Sequence, residues 1–150
     1  MQTASLDHAP RDAQDTADAA GATISAAAPI VPVRNLAGAL GFYEGVLGFR
    51  VLQRNPGNSA ALVERGGMRL MLLRSGDLKA LQATREHLSA YVWVDDLDRL
   101  WAEVEPALAR LPDHRIRPPF RQPYGMREFH VKDPDGFLIF FGENPAARPN

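Results

Sequence analysis

An internal repeat limits this chain more than any other feature of its sequence. An apolar stripe formed by Leu36, Leu40, Tyr43 and Leu47 recurs 61 positions later as Leu97, Trp101, Val104 and Leu108. The flanks keep the same offset, with Val33 matched by Val94 and Asn35 by Asp96. Spacings of three and four residues mark helices with one apolar face, and Asn and Asp are residues that cap helix starts. A short apolar strand precedes each helix and three strands follow it. Chance similarity of two amphipathic helices would not bring the strand, the cap and the three-strand tail along in the same order.

In the first copy, Ile30-Val-Pro-Val33 reads as the leading strand and Gly48 as the stop of the helix. Strands are expected over residues 49–54, 59–64 and 68–74, with Asn55-Pro-Gly-Asn58 and Arg65-Gly-Gly67 as turns. In the second copy the leading strand covers residues 88–94. The three that follow lie around 113–117, 125–132 and 137–142, and Pro106 is expected to kink or shorten the helix. Asp133-Pro-Asp-Gly136 joins the last two, with Pro suited to the second position of a type I turn and Gly supplying positive φ. The expected fold is α+β: two βαβββ modules (29–75 and 87–143) in one domain spanning 29–145, with 146–150 as a C-terminal tail. A helix covers one face of each sheet. The other face curls around a cleft, so function is sought on strand residues that point away from the helices.

Composition removes several function classes. There is no cysteine, hence no disulfide and no thiolate metal site. A formal charge of −1 gives nucleic acid or an anionic membrane nothing to recognise. Residues 1–28 nearly lack large apolar groups and carry Asp7, Asp12, Asp15 and Asp18, the opposite of a secretory leader. They read as a disordered or weakly ordered tail on a cytoplasmic protein. Removing Arg11 from the 17 basic residues and those four aspartates from the 18 acidic ones leaves the remainder near +2.

Val33-Arg-Asn-Leu-Ala-Gly-Ala-Leu-Gly-Phe-Tyr43, Val46-Leu-Gly-Phe49 and Asp133-Pro-Asp-Gly136 resemble the vicinal-oxygen-chelate superfamily, which includes glyoxalase I, extradiol dioxygenases and the fosfomycin- and bleomycin-resistance proteins. Ala28-Pro-Ile-Val-Pro-Val33, Tyr91-Val-Trp-Val94 and Gln122-Pro-Tyr-Gly-Met-Arg-Glu-Phe129 look like its bleomycin-resistance branch. The resemblance spans about residues 28–143 and implies a cleft between modules and a module-swapped homodimer. It also implies four metal-ligand positions, which fall here on Ala28, Met71, Ser89 and Phe140. A methyl, a thioether, a hydroxyl and a phenyl cannot hold a divalent ion. No metal, no cofactor and no catalytic residue is therefore expected.

Strand alternation puts Tyr91 and Trp93 on one face with Ser89, and it puts Glu128 and His130 on the face opposite Phe129 and Val131. Tyr124 lies where the resemblance implies an aromatic that stacks on flat ligands. Glu128 and His130 could form an acid–base pair or hold a cationic group. The candidate ligand site is thus Met71, Ser89, Tyr91, Trp93, Tyr124, Glu128, His130 and Phe140. The implied function is metal-independent sequestration of a small molecule, an aromatic or glycopeptide antibiotic such as a bleomycin, in a dimer cleft. The charge near +2 leaves a neutral or anionic ligand open. The alternative is a glyoxalase-like lyase or dioxygenase, with a displaced metal or with Glu128 and His130 as its acid–base pair.

Overall fold

The computed structural model describes residues 21–144. Most of the tail expected over 1–28 and all of 146–150 lie outside the described residues. Eight strands form two four-stranded sheets. The first is ordered β1-β4-β3-β2 (β1 Ile30–Val33, β2 Arg50–Arg54, β3 Ala60–Arg65, β4 Met68–Arg74). The second repeats it as β5-β8-β7-β6 (β5 Ser89–Trp93, β6 Ile116–Arg121, β7 Arg127–Lys132, β8 Leu138–Glu143). In each, the leading strand runs parallel to the last and the other pairs are antiparallel. This is the βαβββ order, used twice.

Helix α1 (Leu36–Gly45) starts at Asn35, whose side chain accepts from Gly38 N at 2.9 Å. Asp96 starts α3 (Leu97–Leu108) in the same way, accepting from Arg99 N at 3.0 Å. The cap satisfies a backbone donor that the first helical turn leaves without a partner. The stripe residues turn inward: Leu36, Leu40, Tyr43, Leu47, Leu97, Val104 and Leu108 are all buried, and Trp101 packs partly buried against them. They join Val31, Val33, Val63, Leu70, Leu72, Phe129, Val131, Ile139 and Phe141 in a single core cluster. Burying such side chains is the main stabilising term of the fold.

The closing hairpin is tied to the first module. Tyr43 Oη donates to buried Asp133 Oδ2 at 2.9 Å, while Asp133 Oδ1 accepts from the backbone of Asp135 and Phe137. Gly136 N donates to Asp133 O at 3.0 Å and Gly136 takes φ +90°, so the turn has the form expected of its sequence.

Two expectations need correction, and one helix was not foreseen. Residues 75–87 contain a third helix, α2 (Leu78–His87), capped by Asp77, which accepts from Lys79 N at 2.9 Å. The strand expected around 113–117 lies later. Asp113–Arg115 is a 3-10 turn, and β6 runs Ile116–Arg121 with a register break between Arg117 and Phe120. Pro118 and Pro119 sit in that break, where missing N–H groups remove ladder bonds. Pro106 does not shorten α3, which continues to Leu108. In the last turn it forfeits one backbone bond rather than breaking the helix.

Candidate functional site

The faces turned away from the helices differ sharply in chemistry. On the second sheet, Tyr91, Phe140 and His130 are direct neighbours across β5, β8 and β7, and Trp93, Gly142 and Glu128 form the next row. Phe129 and Val131, which alternate with Glu128 and His130 along β7, are fully buried against the helix layer. Alternation therefore delivers Glu128 and His130 to the face expected of them.

Glu128 is the centre of this face. Its side chain is fully buried, yet each oxygen accepts two hydrogen bonds. Oε1 receives Tyr91 Oη at 2.8 Å and Tyr124 Oη at 2.5 Å; Oε2 receives Gln122 Nε2 at 2.9 Å and faces His130 Nε2 at 2.8 Å. Burial alone would push the carboxyl upward. The bonds from Tyr124, His130, Gln122 and Tyr91 outweigh it and hold Glu128 down at about 2. The same contacts act in reverse on the phenols. Burial and then the bond to Glu128 push the Tyr91 hydroxyl up, and the bond to Glu128 first of all raises that of Tyr124. An ionised carboxylate can only accept, so the four neighbours are all donors and His130 Nε2 carries a proton.

Backbone geometry makes room for this network. A Cβ at Gly142 would collide with the Tyr91 hydroxyl, so glycine at this position lets that ring lie over β8. Gln122 and Gly125 close a tight turn, with Gln122 N bonded to Met126 O and Gly125 N to Gln122 O, and the turn carries Tyr124 back over Glu128. Aromatic rings extend the site. Tyr91 is stacked on Phe140 with centroids 6.1 Å apart, Trp93 lies 4.9 Å from Tyr91, and the His130 ring meets both Phe140 and Phe120 edge-on. Trp93 and Tyr124 remain 75% and 65% exposed, an unusual state for large rings.

Six of the eight candidates therefore meet: Tyr91, Trp93, Tyr124, Glu128, His130 and Phe140. Met71 does not join them. It lies in the first sheet, paired with Ile30 and Leu62. Ser89 is exposed at the start of β5, paired with Leu138. The residue that sequence reasoning missed is Gln122, visible beforehand only as the first residue of the stretch to Phe129 that carries the resemblance. A cavity of about 920 Å³ opens between the modules, with Tyr91, Trp93, Met68, Leu100 and Arg99 on its wall. It touches the Glu128 network only through Tyr91.

A divalent metal does not fit the residues present. Among the described residues no three His, Asp or Glu side chains converge, and the lone pairs of Glu128 are engaged by four donors.

The glyoxalase/bleomycin resistance protein/dioxygenase superfamily model matches residues 23–141. The chain belongs to that superfamily. Among solved structures of this fold it is similar to a bleomycin resistance determinant encoded on transposon Tn5, at 25% identity and TM-score 0.66 over 81% of this chain and 99% of that one. It is also similar to the bleomycin-binding protein of bleomycin-producing Streptomyces verticillus complexed with copper(II)-bleomycin, at 28% identity and TM-score 0.62 over 81% and 97%. A lactoylglutathione lyase from Agrobacterium tumefaciens, at 18% identity and TM-score 0.58 over 85% and 100%, shares the fold. No curated protein sequence matches the chain. No helix among the described residues is long and apolar enough to cross a membrane.

Proposed function

We propose that this superfamily member is a metal-independent binding protein that sequesters a flat aromatic small molecule of the antibiotic class, with the face of the second sheet as its site. The observation that carries the reading is the aromatic surface of exposed Trp93 and Tyr124 and half-buried Tyr91 and Phe140, set around one buried carboxylate. Rings fixed by stacking and by hydrogen bonds bind flat ligands at little entropic cost. The bleomycin-binding neighbours support the ligand class.

The first sheet supports a second copy as the other wall of the cleft. Ile30 and Leu73 are 62% and 42% exposed and stand beside half-buried Leu62 and Met71, an aliphatic strip that the described residues leave partly uncovered. A homodimer would cover that strip and enclose the aromatic face opposite it.

Calorimetric titration of the full chain with metal-free and copper(II)-bleomycin tests the reading, with sedimentation on the same sample. Saturable heat at one ligand per chain on a dimeric species is the expected result. Absence of heat at high micromolar bleomycin would remove the bleomycin assignment, and a monomer in sedimentation would remove the shared cleft. A second reading rests on the Glu128–His130 contact of 2.8 Å, in which a carboxylate orients an imidazole as in acid–base catalysis. Turnover of a bound ligand, abolished by His130→Gln, would favour it.

A further inference from the structure

The Glu128 network also fixes which hydrogen bonds the cleft can offer. Tyr91 and Tyr124 each have one hydroxyl proton, and both protons are directed at Oε1 of Glu128. Their oxygens therefore face a ligand as acceptors only. His130 directs its Nε2 proton at Oε2, and in the neutral imidazole this tautomer leaves Nδ1 as a bare lone pair. No described side-chain partner engages Nδ1, and among the described residues no buried side-chain nitrogen or oxygen lacks a partner, so Nδ1 reaches solvent. One buried anion has turned three potential donors into acceptors.

Donors remain at the periphery. Gln122 keeps a second N–H, Trp93 exposes its indole edge, and Arg117 lies directly across from His130 on β6. The Arg117 guanidinium is stacked 3.5 Å from the Phe120 ring centroid. Lys132 is the next residue of β7 on this face. For a ligand carboxylate at His130 the Glu128 charge opposes the attraction of Arg117 and Lys132, and for a cation the signs reverse. Only a neutral donor also places a hydrogen on the Nδ1 lone pair without losing the hydration of a full charge.

We infer that the ligand read by this cleft is a neutral planar aromatic whose polar group, a phenolic hydroxyl or an aryl N–H, donates to His130 Nδ1 while its ring lies against Tyr91, Trp93 and Phe140. The inference rests on the reading of this face as a ligand site and deepens it: ring contact supplies affinity, and the direction of one hydrogen bond supplies selection. His130 is the selecting residue. Glu128 is a positioning residue that acts through it by fixing the tautomer.

The test is nitrogen NMR of the full-length protein labelled at its imidazole and indole nitrogens, with His130 assigned by His130→Gln. The free protein is expected to hold a proton on Nε2 and none on Nδ1 at neutral pH. Titration with 2-naphthol, 2-methoxynaphthalene and 2-naphthoate then varies only the polar group. The naphthol is expected to bind about five- to tenfold tighter than the methoxy compound, the ratio one hydrogen bond supplies, with the naphthoate weakest. In Glu128→Gln the tautomer is no longer imposed, and the preference should fall to within about twofold. A proton on Nδ1, or equal affinity for naphthol and its methyl ether, overturns the inference while leaving ring binding intact. No shift at Trp93 or His130 with any of the three overturns the aromatic site itself, and the inference with it.

Discussion

On the first sheet Ile30, Met71 and Leu62 stand side by side across β1, β4 and β3, and on the second the matching row is Tyr91, Phe140 and His130. One row further, Pro32, Leu73 and Ala60 correspond to Trp93, Gly142 and Glu128. The backbone positions are equivalent, but the surfaces are not. The first sheet presents aliphatic groups that can only be covered, while the second presents rings and a fixed hydrogen-bond pattern that can discriminate. The pattern depends on a coupled exchange. Glu128 is tolerable only because Tyr91 reaches it, and Tyr91 reaches it only because position 142 has no side chain. The repeated fold thus concentrates polar and aromatic groups on one copy and leaves the other apolar.

The helix-facing layers differ in a complementary way. In the second module the strands supply the stacked pair Phe129 and Phe141 at 4.8 Å, with Trp101 of α3 edge-on to Phe129 at 5.1 Å. In the first, Ala61 and Leu72 are the paired strand residues, and the rings come from the helix and its exit as Phe42, Tyr43 and Phe49. Placing the first module's residue into the second should therefore fail. Phe129→Ala is expected to cost about 3–5 kcal/mol in denaturant unfolding, the range for truncating a buried Phe. A loss under about 1 kcal/mol would mean the strands are interchangeable and the comparison empty.

Gly142→Ala is the next largest. The added methyl group meets the Tyr91 hydroxyl, so the ring must swing away and Glu128 loses one of four donors. Overpacking plus a lost bond to a buried charge predicts about 1–3 kcal/mol, together with weakened binding of 2-naphthol. At the equivalent position on the first sheet, Leu73→Ala removes atoms of a side chain that is 42% exposed and should matter less to a single chain. If the two changes cost the same, the space at position 142 is not what permits the network.

Sequence reasoning found the repeat, the caps and the closing turn because these depend on residues a few positions apart. The helical stripes and the Asp133–Gly136 turn are local signals of this kind. α2 was missed because only Leu81 and Thr84 of its ten residues are buried, too few for an apolar period to stand out. Its Asp77 cap and the basic residues Arg85 and His87 in its last turn were the available signs. β6 was misplaced because two prolines interrupt its alternation. The faces of Tyr91, Glu128 and His130 followed from alternation, but their meeting did not. The Tyr91–Glu128 bond spans 37 residues, and it depends on how the second sheet curls and on a turn that brings Gln122 and Tyr124 over the strand. Met71 was assigned by a position that both modules share, which is why the structure finds it on the aliphatic sheet.

A third change isolates the carboxylate. Folded Glu128 titrates near 2 against 4.5 for an unperturbed glutamate, so the folded state binds that proton more weakly than the unfolded chain does. Its contribution to stability is then fully present above about pH 4.5 and is lost as the pH falls through about 2. Asp133 works in the opposite sense, because burial raises it and protonation favours its folded form; Glu64 is lowered by the bonds from Arg50 and Arg69. Both remain in Glu128→Gln and cancel when that variant is compared with the parent chain at fixed protein concentration. The stability difference between the two proteins should stay level from neutral pH to about 4.5 and shrink steadily below it. A difference that stays level down to pH 2 would show that the four donors do not hold a charge, and the second sheet would then present the same uncommitted surface as the first.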